Sequence, residues 1–209
     1  MIAEKDFEAV INARFTAPVY SRLKSARIGV AGLGGLGSHI AAALARCGTG
    51  YLCIADFDTV ELSNLNRQLY SIEDLGRRKT EATAEKLKKI NPFINIAQRQ
   101  LRITEENAAE VFSDCDIVCE AFDVPEAKAM LVNTLLSRCP DKYVVSSSGM
   151  AGFSDGNTIK TRKITKRFIL CGDGENGIEN GIGLTAPRVM ICAGHAALAA
   201  VRIVLEEKE

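Results

Sequence analysis

The sequence lacks an excess of either charge. Its 26 lysines and arginines face 26 aspartates and glutamates, so the formal net charge of the 209 residues is zero. Without a basic surplus there is no electrostatic reason to expect long nucleic acid as the main partner. Long apolar runs are missing too. The longest, Val189 to Val201, has thirteen residues and includes His195, too short to span a bilayer, so no membrane association is expected. The opening MIAEKDFEAV has no basic start leading into an apolar core, and no signal peptide is expected. Histidine is scarce: His39 and His195 both fall inside predicted helices, where packing or surface roles outweigh catalysis. The seven cysteines (47, 53, 115, 119, 139, 171 and 192) are odd in number and scattered through apolar runs. They read as reduced, mostly buried thiols of a cytoplasmic protein. No internal repeat or low-complexity linker interrupts the chain.

What is present is core-forming material. An apolar fraction of 47% with 25% charged residues suits one globular domain spanning residues 1–209. Residues 1–26 read as a helical leader broken near Pro18. From 27 to 150 strand and helix alternate. The predicted strands are 27–32, 51–56, 94–101, 116–122 and 143–149. The predicted helices are 38–47, 79–90, a short one capped by Thr104 and running to Phe112, and one from Pro125 to Arg138. That rhythm predicts an α/β fold, a Rossmann-like doubly wound, mostly parallel sheet. Residues 151–209 add a short antiparallel elaboration: period-two segments over 157–171, a glycine-rich loop (172–183) and a helix from about Pro187 to Leu205.

Gly32-x-Gly34-x-x-Gly37, with Gly35 inside it, sits where a strand turns into a helix. Glycines there let the backbone approach a phosphate, and the helix amino terminus favours its charge. Asp56 closes the next strand, where a carboxylate accepts ribose hydroxyls. The pattern implies a nucleotide, and by itself it fits NAD, FAD or ATP alike. The loop after Asp56 then places Asn64, Asn66, Arg67 and Gln68 near the phosphate end, and Lys79 opens the following helix. Hydride transfer has little need of side-chain cations at its pyrophosphate. A phosphate-transferring site does need them, because charge builds on the phosphoryl oxygens.

The runs GLGGLGSHIA (32–41), DFDTVELSNLNRQ (56–68), GRRK (76–79) and AFD (121–123), with APRV and CAGHAALAAVRIVL near the end, resemble the ThiF/MoeB/ubiquitin-activating-enzyme superfamily, in size its short ThiF-like branch. That resemblance implies an adenylyltransferase. It would use ATP and Mg2+ to activate the carboxy-terminal glycine of a small ubiquitin-like sulfur carrier of the ThiS type, ending in Gly-Gly, and release pyrophosphate. Carried over, Asp56 and Asp58 belong to the nucleotide site, Asn64, Arg67 and Lys79 hold phosphates, and Asp123 holds magnesium or orients the attacking carboxylate. Arg14 is the candidate for an arginine supplied across a homodimer. Cys171, at the mouth of the glycine-rich loop, is the most exposed candidate for a covalent carrier intermediate, and that loop is a candidate groove edge for the carrier tail. Many members bind zinc through two CxxC pairs; this sequence has none, so no zinc is expected. Two other readings stay open. One is a tRNA threonylcarbamoyladenosine dehydratase, against which zero net charge and the lack of a basic segment weigh. The other is an NAD-binding dehydrogenase or nucleotide-sensing module, against which the SNLNRQ loop and Lys79 argue.

Overall fold

The structure, a computed structural model, describes residues 2–177, 181 and 183–206. Seven strands form one sheet: β1 (Arg27–Ala31), β2 (Tyr51–Asp56), β3 (Asn95–Gln100), β4 (Ile117–Glu120), β5 (Tyr143–Ser147), β6 (Lys160–Lys163) and β7 (Phe168–Gly172). Their order is β3-β2-β1-β4-β5-β7-β6. Every neighbouring pair is parallel except β6 and β7. The expected Rossmann-like sheet with an antiparallel appendage is therefore what the chain forms.

The central strands read as unbroken apolar runs because helices cover both faces. On one face, Leu36, Ile40 and Leu44 of α3 (Gly35–Arg46), Leu87 of α4 (Lys79–Ile90) and the alanine-rich side of α7 (Ala186–Glu206) pack on Ile28, Val30, Leu52, Ile54 and Val145. On the other, Phe112 and Leu131, Val132 and Leu135 of α6 (Pro125–Arg138) pack on Cys53, Ala55, Val118 and Val144. The leader forms two helices, α1 (Glu4–Arg14) and α2 (Ala17–Ser25), with Pro18 in the first turn of the second.

Several boundaries differ from expectation. Helix α3 begins at Gly35, three residues early, so the glycine loop merges into the helix. The short helix before β4 is only α5 (Ala108–Val111), because Thr104 and Asn107 are tied together: the Thr104 N–H donates to Asn107 Oδ1. Strand β4 stops at Glu120, whose side chain takes the Phe122 N–H at 2.6 Å and turns the chain out of the sheet. Helix α7 has 21 residues and is long and apolar enough, by length and composition, to cross a bilayer; counting uninterrupted apolar residues stopped short of Arg188 and Arg202. Its buried side packs on α3 and the sheet.

Candidate active site

The strand order reverses between β1 and β4, and the loops leaving their carboxyl ends meet there. Open α/β sheets bind ligands at such a switch point. Gly32 has a positive φ of 88°, and a side chain there would strike the Ala121 carbonyl oxygen 2.8 Å away. The glycine loop thus lies directly on the AFD segment that carries Asp123.

Asp56, buried at the end of β2, holds this loop. Its Oδ2 accepts the Leu33 N–H at 2.6 Å and its Oδ1 the Asp58 N–H at 2.8 Å. Burial pushes its pKa up, outweighing those two hydrogen bonds and the neighbouring Lys79. Lys79 is 6% exposed and donates to Asp58 Oδ2 at 3.2 Å. Its backbone N–H also donates to the Asp58 carbonyl, so the second half of the loop closes beside the first. An ammonium is thereby held near the glycine loop, paired directly with the half-exposed Asp58 carboxylate and close enough to the buried Asp56 to favour its ionised form.

The SNLNRQ segment wraps the other side. Asn64 is buried and its amide is committed to the loop: Oδ1 accepts the Glu61 N–H and Nδ2 donates to Ser63 Oγ. Arg67 lies over Gly35, its Cγ 3.6 Å from where a Cβ there would be, and one Nη donates to the Ser63 carbonyl and Asn66 Oδ1. His39 on α3 donates through Nε2 to the Arg67 carbonyl at 3.2 Å, and burial lowers its pKa, favouring the neutral ring. Gln68 is buried beside Gly34, and its Oε1 has no hydrogen-bond partner among the described residues. Buried acceptors are rarely left unpaired in folded proteins, so this one is suited to a bound donor. An adenine nucleotide with its phosphates at the glycine loop fits these residues.

Asp123 is exposed on the loop after β4 and forms no hydrogen bond or ion pair among the described residues. Its free carboxylate fits a magnesium ion. Arg14 is not brought to this site within one chain. Phe7 and Ile11 of its helix pack beside Phe93 and Gly48, which precede β3 and β2, so α1 lies at the opposite end of the strands.

Cys171 requires a correction. It is completely buried in β7, and burial pushes its thiol pKa up, so it is neither exposed nor poised as a thiolate. Sequence position at a strand end suggested access, but β6 and α7 cover it: Thr161 Oγ1 lies 3.8 Å from its sulfur. Cys171→Ala is expected to leave carrier activation within about twofold of wild type, and the native thiol to react with a disulfide reagent only on unfolding. Of the glycine-rich loop, residues 178–180 and 182 lie outside the described residues.

Sequence reasoning missed the residues that fasten these loops from a distance. Tyr70 donates to the Leu33 carbonyl at 2.8 Å and shares a second bond with Thr83, clamping the glycine loop to α4. Arg188 is buried at the start of α7, where it bonds the carbonyls of Ala151, Ser154 and Asp155 and pairs with Asp173. Val189 beside it touches the Gly35 position. Burial raises the pKa of Asp173, but donors from Asn176 and Glu175 together with Arg188 pull it down further, to about 2. Because this lies below the unfolded value, the pair's contribution is complete above about pH 4 and is lost as pH falls toward 2. Asp173→Asn is therefore expected to flatten that part of an acid-denaturation profile, by on the order of 2 kcal/mol, with little change in the slope above pH 5.

"Adenylyltransferase and sulfurtransferase UBA4" of Candida glabrata is 38% identical over 130 residues, 62% of this chain and 30% of that protein. "Probable adenylyltransferase/sulfurtransferase MoeZ" of Mycobacterium tuberculosis is 39% identical over 103 residues, 49% of this chain and 26% of that one. The chain thus spans less than a third of the length of these curated relatives. Among solved structures, E. coli tRNA N6-threonylcarbamoyladenosine dehydratase, TcdA, in complex with ATP superposes with a TM-score of 0.88 at 22% identity, over 99% of this chain and 98% of that one. E. coli MccB with ATP gives 0.71 at 24% identity, over 91% and 59%. Both show the same fold. The ThiF family pattern matches residues 8–209, nearly the whole length, and the chain belongs to the ThiF family.

Proposed function

We propose that this protein is an ATP-dependent adenylyltransferase that activates the carboxy-terminal glycine of a small ubiquitin-like sulfur carrier of the ThiS type. The observation that carries this reading is the buried Lys79 ammonium beside a glycine loop held by the buried carboxylate of Asp56, the residue this reading assigns to the ribose. The names of the UBA4 and MoeZ relatives support it. In the reaction, the carrier's terminal carboxylate attacks the α-phosphorus in line and pyrophosphate leaves. No protein base is needed, since that carboxylate is ionised at pH 7. Lys79 and Arg67 hold phosphate oxygens, and the backbone N–H groups at the start of α3 face the same negative charge. Asp123 would hold Mg2+, which when bound offsets charge on the phosphates. A homodimer, with Arg14 entering a neighbouring site, belongs to the same reading.

The test is ATP–pyrophosphate exchange with a Gly-Gly-tailed carrier. Exchange that requires the carrier and its terminal carboxylate supports the proposal; NAD binding without ATP binding overturns it. One observation favours a second reading, dehydration of a threonylcarbamoyladenosine on tRNA. Lys160, Arg162, Lys163 and Lys166 on β6 and the turn after it are exposed and form no ion pair among the described residues. They make a local basic edge that overall charge conceals. ATP hydrolysis stimulated by tRNA and indifferent to carrier would replace the first reading with this one.

A further inference from the structure

Directly behind Asp123 lies a buried charged pair that the reaction above does not use. Glu120, the last residue of β4, is completely buried, and Lys128 of α6 is 18% exposed in its side chain. Lys128 Nζ lies 3.0 Å from Glu120 Oε2 and 3.1 Å from Oε1, and Ser146 Oγ donates to Oε2 at 2.5 Å. The same two side chains also grip the backbone in front of Asp123. Glu120 Oε1 accepts the Phe122 N–H at 2.6 Å, and Lys128 Nζ donates to the Phe122 carbonyl at 2.7 Å.

That carbonyl belongs to the peptide plane joining Phe122 to Asp123. A planar peptide with its oxygen fixed has its Asp123 Cα fixed as well. Asp123 has no side-chain partner of its own among the described residues, so the fixed peptide before it is the point from which its side chain projects. Burying two charges costs several kcal/mol before their attraction repays it, and an apolar pair of similar volume would stabilise at least as well. The pair's distinctive product is orientation.

We propose that Glu120 and Lys128 are positioning residues that set the Phe122–Asp123 peptide and thereby aim the Asp123 carboxylate at the metal of bound Mg-ATP. The proposal rests on the reading of Asp123 as a metal-holding carboxylate. Outer partners of a metal ligand commonly govern affinity by one or two orders of magnitude.

The test is titration of the full chain, saturated with ATP, by Mn2+ as a spectroscopic substitute for magnesium, with free Mn2+ read by electron paramagnetic resonance. Lys128→Met and Glu120→Gln are expected to weaken Mn2+ binding roughly tenfold. Lys128→Arg, which keeps a cation able to reach the carbonyl, is expected to recover most of that loss. ATP affinity without metal should stay within about twofold, separating orientation from general damage to the fold. If Glu120→Gln does not fold, the two Lys128 variants carry the test. Wild-type Mn2+ affinity in Lys128→Met, alongside weakened affinity in Asp123→Asn, overturns the positioning role and leaves the reading of Asp123 intact. Unchanged affinity in Asp123→Asn overturns both.

Discussion

Gly37→Ala is expected to cost about 3 kcal/mol or more in stability, at the upper end of what overpacking a core costs, and to abolish nucleotide binding with it. A Cβ on Gly37 would sit far inside van der Waals contact with the Gly32 carbonyl oxygen and 3.2 Å from the Ala121 side chain. The first clash is with backbone, so no rotamer change relieves it. Moving Gly32 is blocked from behind, because its N–H is bonded to the Ala55 carbonyl at 2.8 Å and the adjoining Leu33 is held at both its N–H and its carbonyl, by Asp56 and Tyr70. The loop and β2 would have to shift together, and the phosphate-facing N–H groups with them. Gly35→Ala is the control. Its Cβ would meet Val189 Cγ1 at 3.0 Å and, at ordinary van der Waals distance, Arg67 Cγ at 3.6 Å and the Arg67 carbonyl oxygen at 3.7 Å, and alanine gains roughly 0.5–1 kcal/mol of helix propensity over glycine. That variant should melt within a few degrees of wild type in calorimetry, whereas Gly37→Ala should fail to give a cooperative transition near the wild-type temperature. A soluble Gly37→Ala protein with wild-type melting and ATP affinity would show that the loop is not packed this way.

The contrast explains which parts of the site are legible in a sequence. Gly32, Gly34, Gly37 and Asp56 belong to one strand–turn–helix–strand unit, so fixed spacing places them together whatever the rest of the fold does. Lys79 is legible for a related reason: it opens a helix after a loop whose polar run has no other periodicity. Glu120 with Lys128 and Arg188 with Asp173 carry no such signal. Each is an ordinary charged residue whose partner is chosen by tertiary packing; the cation of each pair donates to a backbone carbonyl of another segment, and the carboxylate accepts backbone N–H groups. Cys171 shows the reverse error. Its place beside glycines suggested an open strand end, but exposure depends on α7 and β6, which cover that end from 10 to 30 residues away in sequence. The basic edge of β6 was hidden by summing charge over the chain, since net charge says nothing about how cations cluster.

Lys79→Ala is expected to lower carrier-dependent pyrophosphate exchange by roughly 10^2–10^3-fold, the scale of losing one electrostatic contact to a reacting group. Two effects act in the same direction. The ammonium that would meet the phosphate oxygens is gone, and Asp58 and Asp56 are left facing the same anionic ligand without compensation. Stability should change far less. Asp58 is half exposed and recovers its hydration when the pair is lost, which limits the cost to about 1 kcal/mol beyond the packing of the lysine stem. Lys79→Met keeps that stem and isolates the charge, so it should melt close to wild type and still lose the exchange activity. Lys79→Arg should recover only part of it, because a planar fork in a buried site does not occupy the place of a compact ammonium. Calorimetric titration decides the matter directly. Mg-ATP should bind wild type and bind more weakly to both neutral variants, while NAD should show no dependence on residue 79. Weakened ATP binding with retained fold would put the cation on phosphate. Full activity in Lys79→Met would reduce the ion pair to a loop fastening and move the search for a phosphate cation to Arg67, the remaining arginine over the glycine loop.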